Sequence, residues 1–427
     1  MDRSDIILPS KEHFYYLDWL RVLAFSVLLF EHSSEVFTNW DFWIKNKETS
    51  SFLGYFVAFF LPWRMPLLFI ISGAAITLSF KSRNASEVLI ERVKRLLFPL
   101  LIAIFLVIPP QLYFIRAFKG IDENFLDFMT KILTLKLNWS IYGNVHYLHL
   151  WYLAFVFVYS ILALPLLSIL KTDKGKNFVA KSSSIICNPY CLFSLGILLT
   201  LPFYFVKQFH VSGTIATFFY YFPFFIFGSV FATDNSILQA IKQQSNNALI
   251  LAMIITANFY IFSIIEDNPF GYFHNFGKVN SIPHLLLKSL NQWFWVIGLF
   301  GLSMRYLNKS SNLLNYATKA VYPFYIFHQT FIVVFAYYVV QITTPLSVKL
   351  LVILFFTFFS ILILYEYLLK RSPLTQFMFG IKMNISKREA LISTLDQKIN
   401  VNIILENEAS NPTSTARLIT NHTIAGQ

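Results

Sequence analysis

Apolar residues run along this chain in stretches of about twenty, separated by short polar connections, and the pattern recurs about ten times. The stretches fall near Leu17–Phe37, Phe52–Phe80, Leu96–Ile115, Leu148–Leu170 and Pro189–Val206. They continue near Thr214–Ala232, Ala248–Ile265, Leu285–Ser303, Ala320–Val340 and Leu346–Leu369. About twenty helical residues match the apolar thickness of a bilayer, and the alternation of a barrel strand is absent. The pattern predicts an all-α fold, a polytopic membrane helix bundle of about ten transmembrane helices. The first run is long and no small-residue cleavage site follows it, so it reads as a span rather than a cleaved signal. No internal repeat is evident, so a pseudo-symmetric transporter gains no support. The pattern stops after Ile381, which divides the chain into a membrane domain, residues 1–381, and a polar tail, residues 382–427. The tail is too polar to bury a core and is expected to be disordered, apart from a short helix around Lys387–Lys398.

Composition agrees with that reading. The 427 residues are 56% hydrophobic and only 13% charged, with 48 Phe; a soluble domain is about a quarter charged. The net charge of +12 does not indicate nucleic acid, because the positive residues lie between spans rather than on one patch. Lys81, Arg83, Arg92, Lys94 and Arg95, then Lys171, Lys174, Lys176 and Lys181, then Arg305, Lys309 and Lys319, then Lys370, Arg371 and Lys382 all fall on one side of a ten-span chain. That places both termini in the cytoplasm of a multi-pass inner (plasma) membrane protein. The connection from Arg116 to Tyr147 mixes both signs of charge and is the longest on the external side, so it could cover a site. Cys187 and Cys191, in "CNPYC", could share one helical turn but have no second pair to complete a metal site.

Chemistry enters where charge interrupts the apolar runs. In "RVLAFSVLLFEH", Arg21 and His32 are eleven residues apart, roughly 16 Å along a helix and about 20° around it. Asp18 and Glu35 lie near the same stripe, at about +60° and −40°. The opposite face, read as Leu23, Phe25, Val27 and Phe30, suits lipid or packing. A charge at mid-bilayer costs at least about 2.5 kcal/mol, so the stripe should face the bundle interior or a wet cavity. One reading is an anion held at Arg21 and proton chemistry at His32, with Glu31 or Glu35 orienting the imidazole. The other is an Asp18–Arg21 ion pair plus a histidine hydrogen-bonded in the bundle.

Three further stretches bear on the choice. "PWRMPLLFIISG" sets Arg64 deep in apolar sequence, where it needs an internal partner or an anionic ligand. "ERVKRLLFPLL" spaces Arg92 and Arg95 at i, i+3, suited to phosphates or merely to fixing orientation. "HYLHLWYL" places His146, His149 and Trp151 at the outer start of the fourth span, and "YPFYIFHQTF" places His328 and Gln329 inside the ninth. His328 either lines the His32 cavity or is a satisfied core histidine. Glu366, near the end of the tenth span, reads as interfacial.

Taken in order, "LDWLRVLAF" with His32, "RMPLLFIISG", "RVKRLLFPLL", "HLWYL", "YFPFFIFGSVFA", "YIFHQTF" and "ILYEYLLKRSPLTQFMFG" resemble the integral-membrane acyltransferase-3 family, and within it the glucans biosynthesis protein C group. The resemblance spans about 360 residues and excludes the tail. It implies transfer of an acetyl or succinyl group from cytoplasmic acyl-CoA to a hydroxyl of an extracytoplasmic glycan. It implies His32 as catalytic base and Arg92 and Arg95 as the acyl-CoA site, with Arg21 and Arg64 contributing. Asp18, Glu35, His149, Trp151 and His328 are the expected supporting or substrate-binding residues. Where the group has a doubled histidine in the ninth span, this chain has His328-Gln329. The expected partners are the lipid bilayer, acyl-CoA as co-substrate and the glycan, with no permanently bound cofactor, no metal and no nucleic acid. The rival class is a multi-span transporter of a glycan, lipid intermediate or small anion, since buried charge also marks transport routes.

Overall fold

The computed structural model describes residues 13–208, 213–265 and 282–381. The expected tail after Ile381, with its short helix, lies outside them. The helices in chain order are α1 Tyr15–Glu35, α2 Ser51–Ala58, α3 Arg64–Lys81, α4 Ala85–Phe118, α5 Phe125–Leu133, α6 Trp151–Leu170, α7 Asp173–Ile186 and α8 Pro189–Leu198. They continue as α9 Thr200–Gln208, α10 Gly213–Phe231, α11 Asn235–Ile265, α12 Ile282–Tyr306, α13 Asn312–Val339, α14 Leu346–Leu369 and α15 Pro373–Met378. Among the described residues no strand forms; one isolated bridge pairs Trp139 with Val145.

Among the described residues eight helices are long and apolar enough to cross a membrane: α3, α4, α6 with its leading turn, and α10 to α14. α1 has 21 residues, about 30 Å of helix, but Asp18, Arg21, Glu31 and Glu35 make it more polar than those eight. It packs instead on α2, α3, α12, α13 and α14, with Glu31 fully buried against them. That is where a spanning helix with ionisable groups has to sit.

Three expected spans need correction. The second is not one helix from Phe52 to Phe80: α2 stops at Ala58 and a turn carries the chain to α3. Pro62 lies in that turn and has no N–H to continue α2. Arg64 is therefore the first residue of α3 rather than mid-span. The fifth is two short helices, α8 and α9, and α7 meets the stretch Pro189–Pro202 at 105°. Cys187, at the end of α7, and Cys191, in α8, lie across that bend rather than on one helical turn.

The third expected span begins earlier than read, at Ala85. Asn84 and Glu87 close a reciprocal cap at its start, satisfying two backbone donors. Val93–Leu97 form a wide π turn inside α4, and the Tyr322 hydroxyl donates to the Arg95 carbonyl there at 2.8 Å. A second break comes at Val107, ahead of Pro109 and Pro110; the Thr330 hydroxyl donates to the Val107 carbonyl at 3.0 Å. Such side-chain donors keep broken backbone tolerable inside a bundle.

α3 and α10 cross in backbone contact. A Cβ on Gly73 would strike the Phe225 carbonyl, and one on Gly228 the Ile70 carbonyl. Small residues at both sides of a crossing allow that approach in membrane bundles. Thr77 adds a hydroxyl bond to the Ser229 carbonyl at 2.9 Å. The crossing holds α3 against α10 from Ile70 to Thr77.

Candidate active site

The C-terminal half of α1 supplies the first groups. His32 and Glu35 are one turn apart, and His32 Nδ1 lies 2.7 Å from Glu35 Oε2. A carboxylate accepts, so Nδ1 carries the hydrogen and Nε2 keeps its lone pair. Of the two acids that could orient His32, Glu35 is the one that does. Glu31 turns the other way, to Arg64, at 2.7 Å. Arg64 is 6% exposed and Glu31 fully buried; among the described residues Arg64 Nε and Nη1 are buried with no hydrogen-bond partner.

Two other helices bring histidines to His32. His328 of α13 stacks on it, ring centroids 5.5 Å apart and planes 18° from parallel. His149, from the turn before α6, meets His328 edge to face at 5.0 Å. The His328 Nδ1–H donates to the Tyr325 carbonyl at 2.7 Å, and the His149 Nε2–H donates to the Ile326 carbonyl at 3.0 Å. The chain reaches His149 through Leu148, whose φ of 39° is a left-handed conformation that costs leucine about 1–3 kcal/mol. The Leu148 amide donates to His146 Nδ1 at 2.9 Å.

These residues enclose a cavity of about 230 Å³. His32, Arg64, His146, His149, Trp151 and His328 all line it, so the structure brings these sequence-predicted groups together, while Asp18, Arg21, Glu35, Arg92 and Arg95 do not line it. Ile141 and His146, from the connection between α4 and α6, form part of its wall, as does Trp43. That connection is pinned by Arg116 on Glu123 at 2.7 Å and by Lys131 on the same carboxylate. The two cations hold the Glu123 carboxyl below the usual range. Gln329, beside His328, is fully buried and does not line the cavity.

A correction concerns Phe25. It lies about 40° around the helix from Arg21, on the polar flank rather than the opposite face, and it lines the cavity. Its ring sits 5.0 Å from Tyr325 and 6.1 Å from Tyr152, and those two are 5.8 Å apart. The Tyr325 hydroxyl donates to the His149 carbonyl at 2.9 Å; the Tyr152 hydroxyl pairs with Ser72 at 2.7 Å and with the Leu68 carbonyl at 3.3 Å. The flank from Arg21 to His32 is thus closed by three rings, not continuously polar.

Beyond the rings is a cluster of guanidiniums. Arg21, Arg92 and Arg95 are electrostatic neighbours, and Tyr152 lies within the field of Arg21 and Arg92. Arg21 is held loosely by Asp18 at 3.4 Å, and Asp18 also meets His13 at 2.7 Å. Arg95 pairs with Glu91 at 3.3 Å, and Glu91 also takes Arg83. Among the described residues Arg92, half-buried, has no carboxylate within ion-pair distance and a buried Nε without a partner. Arg21 and the Arg92–Arg95 pair therefore sit together but outside the His32 cavity. Glu366 binds Tyr316 at 2.8 Å and Lys370, away from both.

The profile of the acyltransferase-3 family, described as an acyltransferase domain, matches residues 14–366. The chain belongs to the acyltransferase-3 family. It is similar to glucans biosynthesis protein C of Escherichia coli strain K12 and of strain SMS-3-5 / SECEC. Each is 25% identical over 391 residues, covering 88% of this chain and 96% of the relative. No solved structure matches the chain. Both the cavity and the guanidinium cluster of this membrane acyltransferase fall within the matched residues.

Sequence reasoning missed four groups of the site: Glu31 as the partner of Arg64, and Phe25, Tyr152 and Tyr325 as the ring layer. Two of the tyrosines stood inside quoted motifs, "HLWYL" and "YPFYIFHQTF". The signal available was an aromatic residue with a hydroxyl inside a span, which needs a buried acceptor.

Proposed function

We propose that this acyltransferase moves an acetyl or succinyl group from acyl-CoA to a hydroxyl of an extracytoplasmic glycan, with His32 as general base. The observation that carries the reading is the 2.7 Å bond from Glu35 to Nδ1 of His32, which lines a cavity together with Arg64, His149 and His328. A carboxylate behind one imidazole nitrogen leaves the other basic and stabilises the imidazolium that proton transfer creates.

The acyl donor enters from the side of Arg21, Arg92 and Arg95, whose charges suit the phosphates of CoA. The basic loops make that side cytoplasmic, with both termini inside and the protein in the inner membrane. The thioester passes the ring layer into the cavity. The glycan hydroxyl loses its proton to His32 Nε2 as its oxygen attacks the thioester carbon. Arg64, fixed by Glu31, places positive charge where the tetrahedral oxyanion develops. Collapse breaks the C–S bond, and the departing sulfur takes the proton back from His32, giving acylated glycan and CoA thiol. A glucan is the favoured acceptor, because the curated relatives are named for glucan biosynthesis.

The test is transfer of label in proteoliposomes. Acetyl- or succinyl-CoA with a labelled acyl group is supplied on one side and a glucan oligosaccharide on the other. Labelled oligosaccharide is the expected product. Movement of sugar without consumption of acyl-CoA would overturn the reading in favour of transport.

A further inference from the structure

Four imidazoles line the cavity; His146 Nδ1 already accepts from the Leu148 amide, and base catalysis at His32 leaves the use of the other two open. His328 is 3% exposed and His149 is 8% exposed. Each spends its N–H on a backbone carbonyl: His328 Nδ1 on Tyr325 and His149 Nε2 on Ile326. A carbonyl only accepts, so both rings are the tautomer whose second nitrogen is a bare acceptor. Those nitrogens, His328 Nε2 and His149 Nδ1, are buried and have no hydrogen-bond partner among the described residues. Buried acceptors are seldom left unpaired.

We infer that His328 and His149 each accept a hydrogen bond from a hydroxyl of the acceptor sugar that neighbours the hydroxyl deprotonated by His32. The inference rests on the function proposed above and adds how the acceptor is recognised. Three acceptor nitrogens in one cavity require a ligand rich in donors. A hydroxyl has a donor to offer these nitrogens; a carboxylate or phosphate could pair with Arg64 in the same wall but has no donor for them. The ring centroids lie 5.5 Å apart from His32 to His328 and 5.0 Å apart from His328 to His149, so all three imidazoles are within reach of one sugar ring. Trp151 and Trp43, in the same wall, offer aromatic surface to the C–H face of such a ring. Only His32 has a carboxylate behind it, so only one of the three hydroxyls is activated and the other two are held.

The test uses the full-length enzyme in proteoliposomes, acyl-CoA as donor, and methyl β-D-glucopyranoside with its monodeoxy analogues as acceptors. His328→Phe keeps a ring and removes the acceptor nitrogen; it should raise the acceptor KM about tenfold, the weight of one hydrogen bond to a buried group, with the acyl-CoA KM unchanged. One monodeoxy analogue should show that same loss with the wild type and no further loss with the variant. His149→Phe should do likewise with a different analogue, and His328→Gln, whose side-chain oxygen accepts, should recover most of the affinity. An equal loss on every analogue, or a fall in kcat at constant KM, would overturn the inference. Wild-type enzyme that acylates none of these sugars would overturn the glycan reading itself, a result visible before any variant is compared.

Discussion

Replacing Glu31 with Gln strands a cation. Arg64 Nη2 lies 2.7 Å from Glu31 Oε1, with the two side chains 7% and 0% exposed. At that distance and an effective dielectric near 20 the attraction is about 6 kcal/mol, which roughly offsets the several kcal/mol per ion of removing both from water. The intact pair is therefore close to neutral for stability, and either partner alone is not. A guanidinium stays charged, so Glu31→Gln should destabilise the fold by about 3–5 kcal/mol. Arg64→Met should cost less, because a lone carboxyl can neutralise itself by taking up a proton and a guanidinium cannot. The double variant should recover at least about 2 kcal/mol relative to the sum of the singles. Unfolding of the four proteins in the same detergent completes the cycle. A loss below about 1 kcal/mol for Glu31→Gln, or strictly additive effects, would refute the claim that this pair is dry and mutually dependent.

Glu35→Gln keeps an acceptor for His32 Nδ1 but removes the charge, so kcat should fall about 10- to 100-fold at constant acyl-CoA KM; unchanged kcat would remove Glu35 from the mechanism. Phe25→Trp should thicken the ring layer and slow acyl transfer while acyl-CoA still binds, and Phe25→Ala should speed acyl-CoA hydrolysis. Unaltered rates in both would show that the donor does not cross there. Lys45 donates to the carbonyls of Glu35 and Thr38 at the end of α1, and burial lowers its ammonium from 10.5 to about 8, against the opposing pull of Glu35 and Asp41. Between those values the unfolded chain holds a proton that the folded chain has lost, so stability relative to Lys45→Met should rise as pH increases from 8 to 10.5. Allowing for solvent screening the gain is about 1 kcal/mol; a flat difference in unfolding free energy at pH 7.5 and pH 10 would contradict it.

Much of the architecture was legible because lipid imposes a length. Eight of the ten expected runs became helices of spanning length, and the first became α1. Breaks were less legible. Phe52–Phe80 is apolar throughout its middle, and only Pro62 hinted that the backbone turns there. Within the site, Arg21, His32 and Glu35 could be placed on one flank because helical geometry is local. The partner of Arg64 could not, since it depends on how α1 and α3 pack. Phe25 is instructive: its angle on the helix was as readable as that of His32, yet its apolar side chain drew it to the wrong face. The ring layer needed Tyr152 and Tyr325 from two distant helices before it existed at all.

The measurement that bears most directly on the account is acyl transfer by His32→Ala in proteoliposomes, alongside wild-type protein of equal expression and insertion. The account predicts that labelled glycan disappears while the variant still binds acyl-CoA through the guanidinium cluster. Glycan labelled at the wild-type rate by the variant would contradict it.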